Sequence, residues 1–506
     1  LITQYDHHDV EALGLPKIDL LGIRALTVLA DAAEQVREHH NNGFKLDDIP
    51  LDDPPTAEIL ASGETVGVFQ CESEGARRTL RKLKARTVRD LAVANAFFKP
   101  GPATGGMADI FVQRYSGDAE VQYLHPTLKP ILGPTKGVLI FQEQILRVAT
   151  EVAGLSWEQA GHLRRGMSKM QPQEMLRMHE AFTRGCMEEP PDGPGMTPQQ
   201  ADQLWNQVEA FSGYGFNQGH ATAYADVSYR SAFIKTHWPA AFFCARLQTW
   251  GGFHHPAVYM AEAIRLGIDV RPPHVNHSTP RFNLQWEGNQ AVLWMGLGEV
   301  RNLRHHAIDA IIHARREGRF SGVRDFMSRV SLRIKEITHL IQGGALDGLG
   351  PNRPTMLALA REIHQAGNAY QLAFDFLDHR RPPADLAQHL TWEKRVLGYP
   401  IAAIRAYLPT QIEQRPDAVP LTPKRWETGQ TVHTWAVRLP GWTGGGGFYL
   451  WDGSTWVMAK TGRSQKHPAP WRVLEIQGHW RRDPWGMGWI QIYRTQMQSP
   501  KPSAHV

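Results

Sequence analysis

The sequence predicts a multi-domain, mainly α chain with a small α/β piece at its N-terminal end and a small all-β barrel at its C-terminal end. Three observations carry that prediction. From about residue 55 to 245 apolar residues recur at helical spacing, broken by KPGPATGG (99–106) and MEEPPDGPGMTPQQ (187–200). From about 268 the stretch GIDVRPPHVNHSTPRFNLQWEGNQAVLWMGLGEV alternates apolar and polar residues between turn signals, as a small strand-containing unit does. The tail from Thr428 is rich in tryptophan, glycine and alternating apolar residues, the pattern of a small barrel.

The chain has 506 residues, long enough for several cores, with 55 Lys and Arg against 50 Asp and Glu and a net charge of +5. That excess favours a polyanionic partner without assigning one. Cys71, Cys186 and Cys244 show no C-x-x-C spacing, which argues against a disulfide framework or a cysteine-rich zinc site. No apolar run reaches the roughly 18 residues of a membrane span, and LITQYDHHD is too polar for a signal peptide. The expectation is a cytoplasmic protein with no membrane partner. The chain opens on Leu1 and enters its first motif almost at once, so an N-terminal part is expected to be missing.

Residues 1–40 read as a short strand around Ile18 followed by the amphipathic helix IRALTVLADAAEQVREHH. Within PKIDLLG, Lys17 and Asp19 share one strand face, since residues i and i+2 point the same way. A charge in an apolar pattern is expensive unless something uses it, and a helix cap is one such use. In GVFQCESEGARRTLRKLKAR, a helix beginning near Ser73 presents Arg77, Arg78, Arg81, Lys82, Lys84 and Arg86, either a solvated face or a phosphate-binding one. The segment runs on to Lys99-Pro100-Gly101-Pro102, a stiff turn that exposes backbone amides.

Further on, Gln142 and Gln144 flank Glu143, and Arg164, Arg165 and Lys169 fall on neighbouring faces of one helix. Paired arginines with a lysine one turn on suit a triphosphate, and a surface basic cluster is the plainer reading. In FSGYGFNQGHATAYADVSYR, Asn217, His220 and Tyr224 form one stripe of a helix that follows a glycine-rich turn. Small neighbours Gly219, Ala221 and Ala223 allow close approach, and Tyr214 and Phe216 are available for stacking on bases.

Taken in order, KIDLLGIRALT, GVFQCESEGARR, FFKPGPATGGM, GVLIFQEQI, LRRGMSKM and FSGYGFNQGHATAYADVSYRSAFIKTHWPAAF resemble the bacterial C-family DNA polymerases, the replicative alpha subunit and its error-prone paralogue. The match continues through IQGGALDGLGPNR and WEKRVLGYP. The resemblance implies template-directed nucleotidyl transfer from a dNTP to a primer 3′-hydroxyl with two magnesium ions. It makes Asp19 the third metal carboxylate of the palm and Lys17 the basic residue beside it. The D-x-D pair that would complete the set is absent from this chain.

The same resemblance divides the chain into a palm piece (1–50), helical fingers (51–267), a strand unit with a tandem helix-hairpin-helix region (268–370), a linker (371–427) and an OB-like domain (428–506). It assigns Arg164, Arg165, Lys169, Asn217, His220 and Tyr224 to the incoming nucleotide. It assigns Arg77, Arg78, Arg81, Lys82 and Lys99 to primer-template DNA, joined by the glycine turn Gly343-Gly344, whose amides would meet a phosphate. Gln371, Phe374 and Phe376 resemble a sliding-clamp peptide, and an amphipathic linker explains them equally well. Met170 and Gln218 stand where lysines are usual and Gly219 where a serine is, while Lys99 replaces an arginine and keeps its charge; the missing lysines and the short tail lean toward the error-prone paralogue. In the barrel, Trp435, Trp442, Phe448, Tyr449 and Trp451 are expected either to stack on bases or to fill the core. The isolated chain is expected to be inactive without its missing polymerase half, and the alternative is a non-catalytic DNA- or clamp-binding remnant.

Overall fold

The computed structural model describes residues 4–16, 18, 20–97, 107–165, 172–211, 215–249, 251–366, 386–414, 417–441, 443, 446–462 and 466–497. Lys17, Asp19, Lys99, Lys169, Gln371, Phe374, Phe376 and Trp442 lie outside the described residues.

A short helix, α1 (His7–Ala12), is capped by Asp6, whose carboxylate accepts from the amides of His8 and Asp9. After it Leu13, Leu15, Ile18, Leu20 and Leu21 are exposed, and no strand forms among the described residues before Asp269–Arg271. Of the strand expected around Ile18, Lys17 and Asp19 lie outside the described residues, and among the described residues no ladder pairs with Ile18 or Leu20.

Helix α2 (Arg24–His39) buries Ala25, Val28, Leu29, Ala32, Ala33 and Val36, the stripe its sequence periodicity predicts. Asp53 caps α3 (Pro54–Ala61), with Pro54 at the first helical position. Ser73 caps α4 (Glu74–Leu83) by accepting from Ala76 N at 3.1 Å, and Lys84 ends it in the left-handed region. Helices α5 (Val88–Phe97) and α6 (Met107–Ser116) follow. Next come α7 (Lys129–Leu132), α8 (Gln142–Arg147) with a π-helical continuation over Val148–Val152, α9 (Trp157–Arg165), α10 (Pro172–Met187) and α11 (Pro198–Phe211). This second group closes around its own core, from Leu128 through Phe182 to Phe211.

The chain then returns to the first core through the twenty-residue α12 (Gln218–His237), which packs on α3 and α5, and through α13 (Pro239–Gln248) and α14 (Pro256–Arg265). A three-stranded sheet follows, ordered β1 (Asp269–Arg271), β3 (Gln290–Trp294), β2 (Asn283–Glu287), with β1 parallel and β2 antiparallel to β3. Helices α15 (His305–Arg316), α16 (Val323–Arg329), α17 (Ile334–Gln342) and α18 (Arg353–Ala366) come next. Residues 386–413, expected as linker, instead form α19 (Leu386–Val396) and α20 (Ile401–Glu413). Val396, Leu397, Ile401, Ile404 and Leu408 bury an apolar stripe in the main core, which fixes both helices.

The C-terminal strands β4 (Thr431–Arg438), β5 (Phe448–Trp451), β6 (Trp456–Lys460), β7 (Val473–Arg482) and β8 (Gly488–Met497) close a barrel in the order β4-β5-β6-β8-β7. β6 and β8 pair parallel and the other neighbours antiparallel, an OB-like arrangement. The ladder of β7 and β8 shifts register at Gln477/Gly478, where a Cβ on Gly478 would lie 2.5 Å from the Ile490 side chain. Phe448, Leu450, Val457 and Ala459 fill the barrel, while Tyr449, Trp451, Trp456 and Met458 point outward into the main helical core. No helix among the described residues is long and apolar enough to cross a membrane.

Candidate functional site

The beginning of α12 gathers three sequence motifs that are far apart in the chain. Asn217 caps the helix: its Oδ1 accepts from His220 N at 2.7 Å, and its Nδ2 donates to Glu143 Oε1 at 2.9 Å. The other Glu143 oxygen accepts from Gln218 N at 2.8 Å. Glu143 is placed by the first turn of α8, which is stitched to the segment before α12 by Gln142 N donating to Phe216 O and Phe216 N to Ile140 O. Gln144, between them, is buried; its Oε1 accepts from Ile140 N and Phe141 N, so the residue flanking the exposed carboxylate is a structural brace.

A ladder of rings runs along the same helix face. The Phe216 and His220 centroids are 5.6 Å apart, His220 and Tyr224 4.1 Å, and Tyr224 and Phe69 5.2 Å. Asn217, Gln218, Gly219 and His220 are exposed and Tyr224 is half-buried, so the ladder rises from the core to the surface at the helix N terminus. The expected stripe of Asn217, His220 and Tyr224 is thus assembled; Glu143, named from the sequence only for its flanking glutamines, joins it, as does Phe69, which was not singled out. An exposed helix N terminus attracts anions. Here a side-chain carboxylate already takes one of its amides.

Arg164 is exposed near the end of α9, the helix packed beside α8; the Arg165 backbone ends that helix, and its side chain lies outside the described set. Asp19, the carboxylate assigned to magnesium by resemblance, is also outside it, and among the described residues no group of three His, Cys, Asp or Glu side chains is arranged to hold a metal ion. The described residues do not by themselves fit a two-ion centre.

The basic helix α4 sits differently from the expectation that its cations face DNA. Arg77 is buried, its Nε donating to Gly63 O at 2.8 Å and its guanidinium 5.3 Å from the Trp456 ring centre. Arg78 bridges Glu74 at 2.8 Å and Asp483 of the barrel at 2.9 Å. Lys82 Nζ lies 3.6 Å from the centre of the Trp485 ring, and Arg81 reaches toward the carbonyl of the same residue. The amide of Glu74 donates to Thr443 O, and its carboxylate also receives Lys460 at 3.1 Å. Four of the expected DNA contacts therefore dock the barrel onto the helical body, because the barrel supplies carboxylate, carbonyl and ring partners at the spacing of one helical turn.

Of the two expectations for the barrel aromatics, the described ones follow the core alternative. Trp435, Phe448, Tyr449 and Trp451 are all buried, and none of the four offers a face to a base. Beneath them, Lys235 Nζ donates to Glu262 at 2.8 Å and to the carbonyls of Glu64 and Val66, while Trp456 Nε1 donates to the same Glu262 carboxylate at 2.9 Å. Burial pushes that carboxyl upward, but the Lys235 ammonium and the Arg265 guanidinium prevail and hold it well below the usual range.

In the helix-hairpin-helix region, the amides of Gly343 and Gly344 donate to His339 O at 2.8 Å and Ile341 O at 3.1 Å, closing α17. Both glycines are buried, so the phosphate role expected for them is not one this geometry supports. Gly344 has φ +85°, and a Cβ there would lie 2.6 Å from Arg353 Nη2. Arg353 in turn bridges Asp347 at 2.6 Å and the buried Glu393 of α19 at 3.2 Å, which locks the turn to the helix behind it.

Comparison with known proteins agrees with this architecture. A family profile described as the bacterial DNA polymerase III alpha subunit finger domain matches residues 25–190, and one for the helix-hairpin-helix motif matches residues 267–356. The chain belongs to the bacterial C-family DNA polymerases. Among its relatives, DNA polymerase III subunit alpha of Pseudomonas aeruginosa is 39% identical over 389 residues, covering 74% of this chain and 32% of that protein. The proteins of the same name from Thermus aquaticus and Aquifex aeolicus are 36% and 31% identical, over 78% and 79% of this chain and 33% and 34% of their own lengths. The chain spans about a third of these relatives.

Proposed function

We propose that this chain supplies the fingers, helix-hairpin-helix region and barrel of a template-directed DNA polymerase, and that the exposed start of α12 binds the incoming dNTP. The observation that carries the reading is the convergence of Phe69, Glu143 and the Asn217-His220-Tyr224 stripe on one exposed helix end, from three segments separated by more than seventy residues. His220 and Tyr224 offer ring faces, Asn217 fixes the helix start, and Arg164 stands on the neighbouring helix as a fork donor for phosphate.

In this reading Asp19 and Lys17 act only with carboxylates from outside the chain, magnesium belongs to that joint centre, and Leu13, Leu15, Ile18, Leu20 and Leu21 are the apolar strip that packs against the palm. Primer-template DNA is held alongside, and a sliding clamp is engaged through Gln371, Phe374 and Phe376. The lost positive charges at Met170 and Gln218 support an error-prone role. The second reading, a non-catalytic DNA- or clamp-binding remnant, draws on Glu143, whose carboxylate competes with a phosphate for the α12 amide.

Template-dependent dNTP binding by the full chain separates the two. The polymerase reading expects binding selected by the templating base and weakened about tenfold by His220→Ala, the loss of one good stacking or polar contact. Primer-template binding with no dNTP effect at any template base supports the remnant.

A further inference from the structure

Between α4 and the barrel lies a cleft of about 830 Å³. Its charged lining is unbalanced: Arg77, Arg81, Arg265, Lys424, Arg425 and Arg482 against Glu64 and Glu262, six cations to two carboxylates. Those carboxylates are already engaged, Glu262 by Lys235, Arg265 and Trp456, and Glu64 by Arg265 at 3.2 Å and Lys424 at 3.6 Å. Among the described residues Arg81, Arg425 and Arg482 close no ion pair; Arg482 Nη2 donates to the carbonyls of Pro423 and Trp426, and Glu64 and Asp483 act on Arg81 only at longer range.

A second observation points the same way. Arg81 Nε and Trp480 Nε1 are buried donors without a hydrogen-bond partner, and both residues line the cleft. Trp480 is only 4% exposed, so its unmet donor is not served by bulk water. Burial and the adjacent Arg77 push the Arg81 guanidinium below the ordinary arginine value, against the opposing pull of the Glu64 and Asp483 carboxylates. The opposite wall is apolar, built from Leu421, Trp456, Met458 and Met487.

We propose that this cleft is a second ligand site, for a nucleoside polyphosphate, with Arg81, Arg425 and Arg482 holding the phosphates and the apolar wall taking the base. Three arginines around one volume match a polyphosphate, which concentrates its charge on a few atoms; a single nucleic-acid strand carries the same chemistry at one charge per nucleotide. The volume exceeds that of inorganic phosphate alone, and the apolar wall gives the excess a use. Because the cleft joins α4 to the barrel, its ligand would bind only the docked arrangement and so stabilise it by mass action. The inference does not rest on the nucleotide reading of α12.

The test is calorimetric titration of the full chain with dATP, inorganic tripolyphosphate and a single-stranded oligothymidylate. In an Asn217→Ala, His220→Ala background, which removes the α12 contacts, dATP is expected to keep one binding event, and Arg482→Gln is expected to weaken it about tenfold. Adding Arg81→Gln abolishes it, and Arg81→Lys restores part of the tripolyphosphate binding by returning the charge. If Arg81→Gln unfolds the protein, the exposed Arg482 decides alone. Loss of all dATP binding in the α12 background, or dATP and tripolyphosphate binding indifferent to Arg482→Gln, overturns the proposal. So does an effect of Arg482→Gln on the oligothymidylate but not on dATP, which makes the occupant a DNA strand.

Discussion

Helix α4 carries four cations in ten residues, while α12 has no lysine or arginine before Arg230, yet α12 presents its first turn to solvent and α4 is enclosed. The difference lies in what each helix meets. Glu74 and Asp483 neutralise α4, Trp456 and Trp485 cover its guanidinium and ammonium groups, and the charge run becomes an interface. Among the described residues the start of α12 meets Glu143 and a ladder of rings, and keeps polar groups exposed. Charge density along a helix therefore does not locate its binding surface; the partner elements do.

The comparison is broken most strongly under the α4 interface. Glu262→Ala leaves Lys235 buried without its carboxylate and Trp456 Nε1 without its acceptor, and should cost about 3–5 kcal/mol in denaturant unfolding. Glu74→Ala removes the acceptor shared by Arg78 and Lys460 and should cost about 2 kcal/mol, with earlier melting of the barrel seen by tryptophan fluorescence. Asn217→Ala, on the α12 side, removes only a cap and should cost about 1 kcal/mol, with faster amide exchange at His220. Equal losses at Glu74 and Asn217 would erase the distinction between an interface helix and an exposed one.

Acid titration supplies a reference away from both helices. Hydrogen bonds from Arg304 at 2.7 and 2.8 Å hold the Glu336 carboxyl to about 2, below its ordinary 4.5. The stability it contributes is complete above pH 4.5 and is lost as the pH falls through 2. Glu336→Gln should flatten that part of the stability profile and leave the Glu74 and Asn217 differences unchanged; an unaltered acid profile would contradict the assignment.

The helices were readable because their signals are local: the stripe of α2, Ser73 at the start of α4, the glycine-rich turn before α12, although Asn217, read as part of the helix stripe, is its cap. The barrel was readable from its tail of short apolar strands. What covers its outer face was not deduced, although FYLW and WVMA bury every position rather than alternate, which is how a strand packed on both faces reads. The contact of Glu143 with Asn217 gave no local sign, since the two lie 74 residues apart. The segment around Ile18 is only partly described, and α19 and α20 were missed because a polar, proline-bearing approach masked the apolar stripe that follows.

The central claim is that this chain is polymerase machinery completed by carboxylates it does not itself carry. Primer extension with magnesium tests it most directly, using the full chain with and without a separately supplied palm half that contains the D-x-D pair. The account predicts no extension by the chain alone, extension when the two are mixed, and its loss again in Asp19→Asn. Extension that survives Asp19→Asn, or none from any mixture, would contradict it.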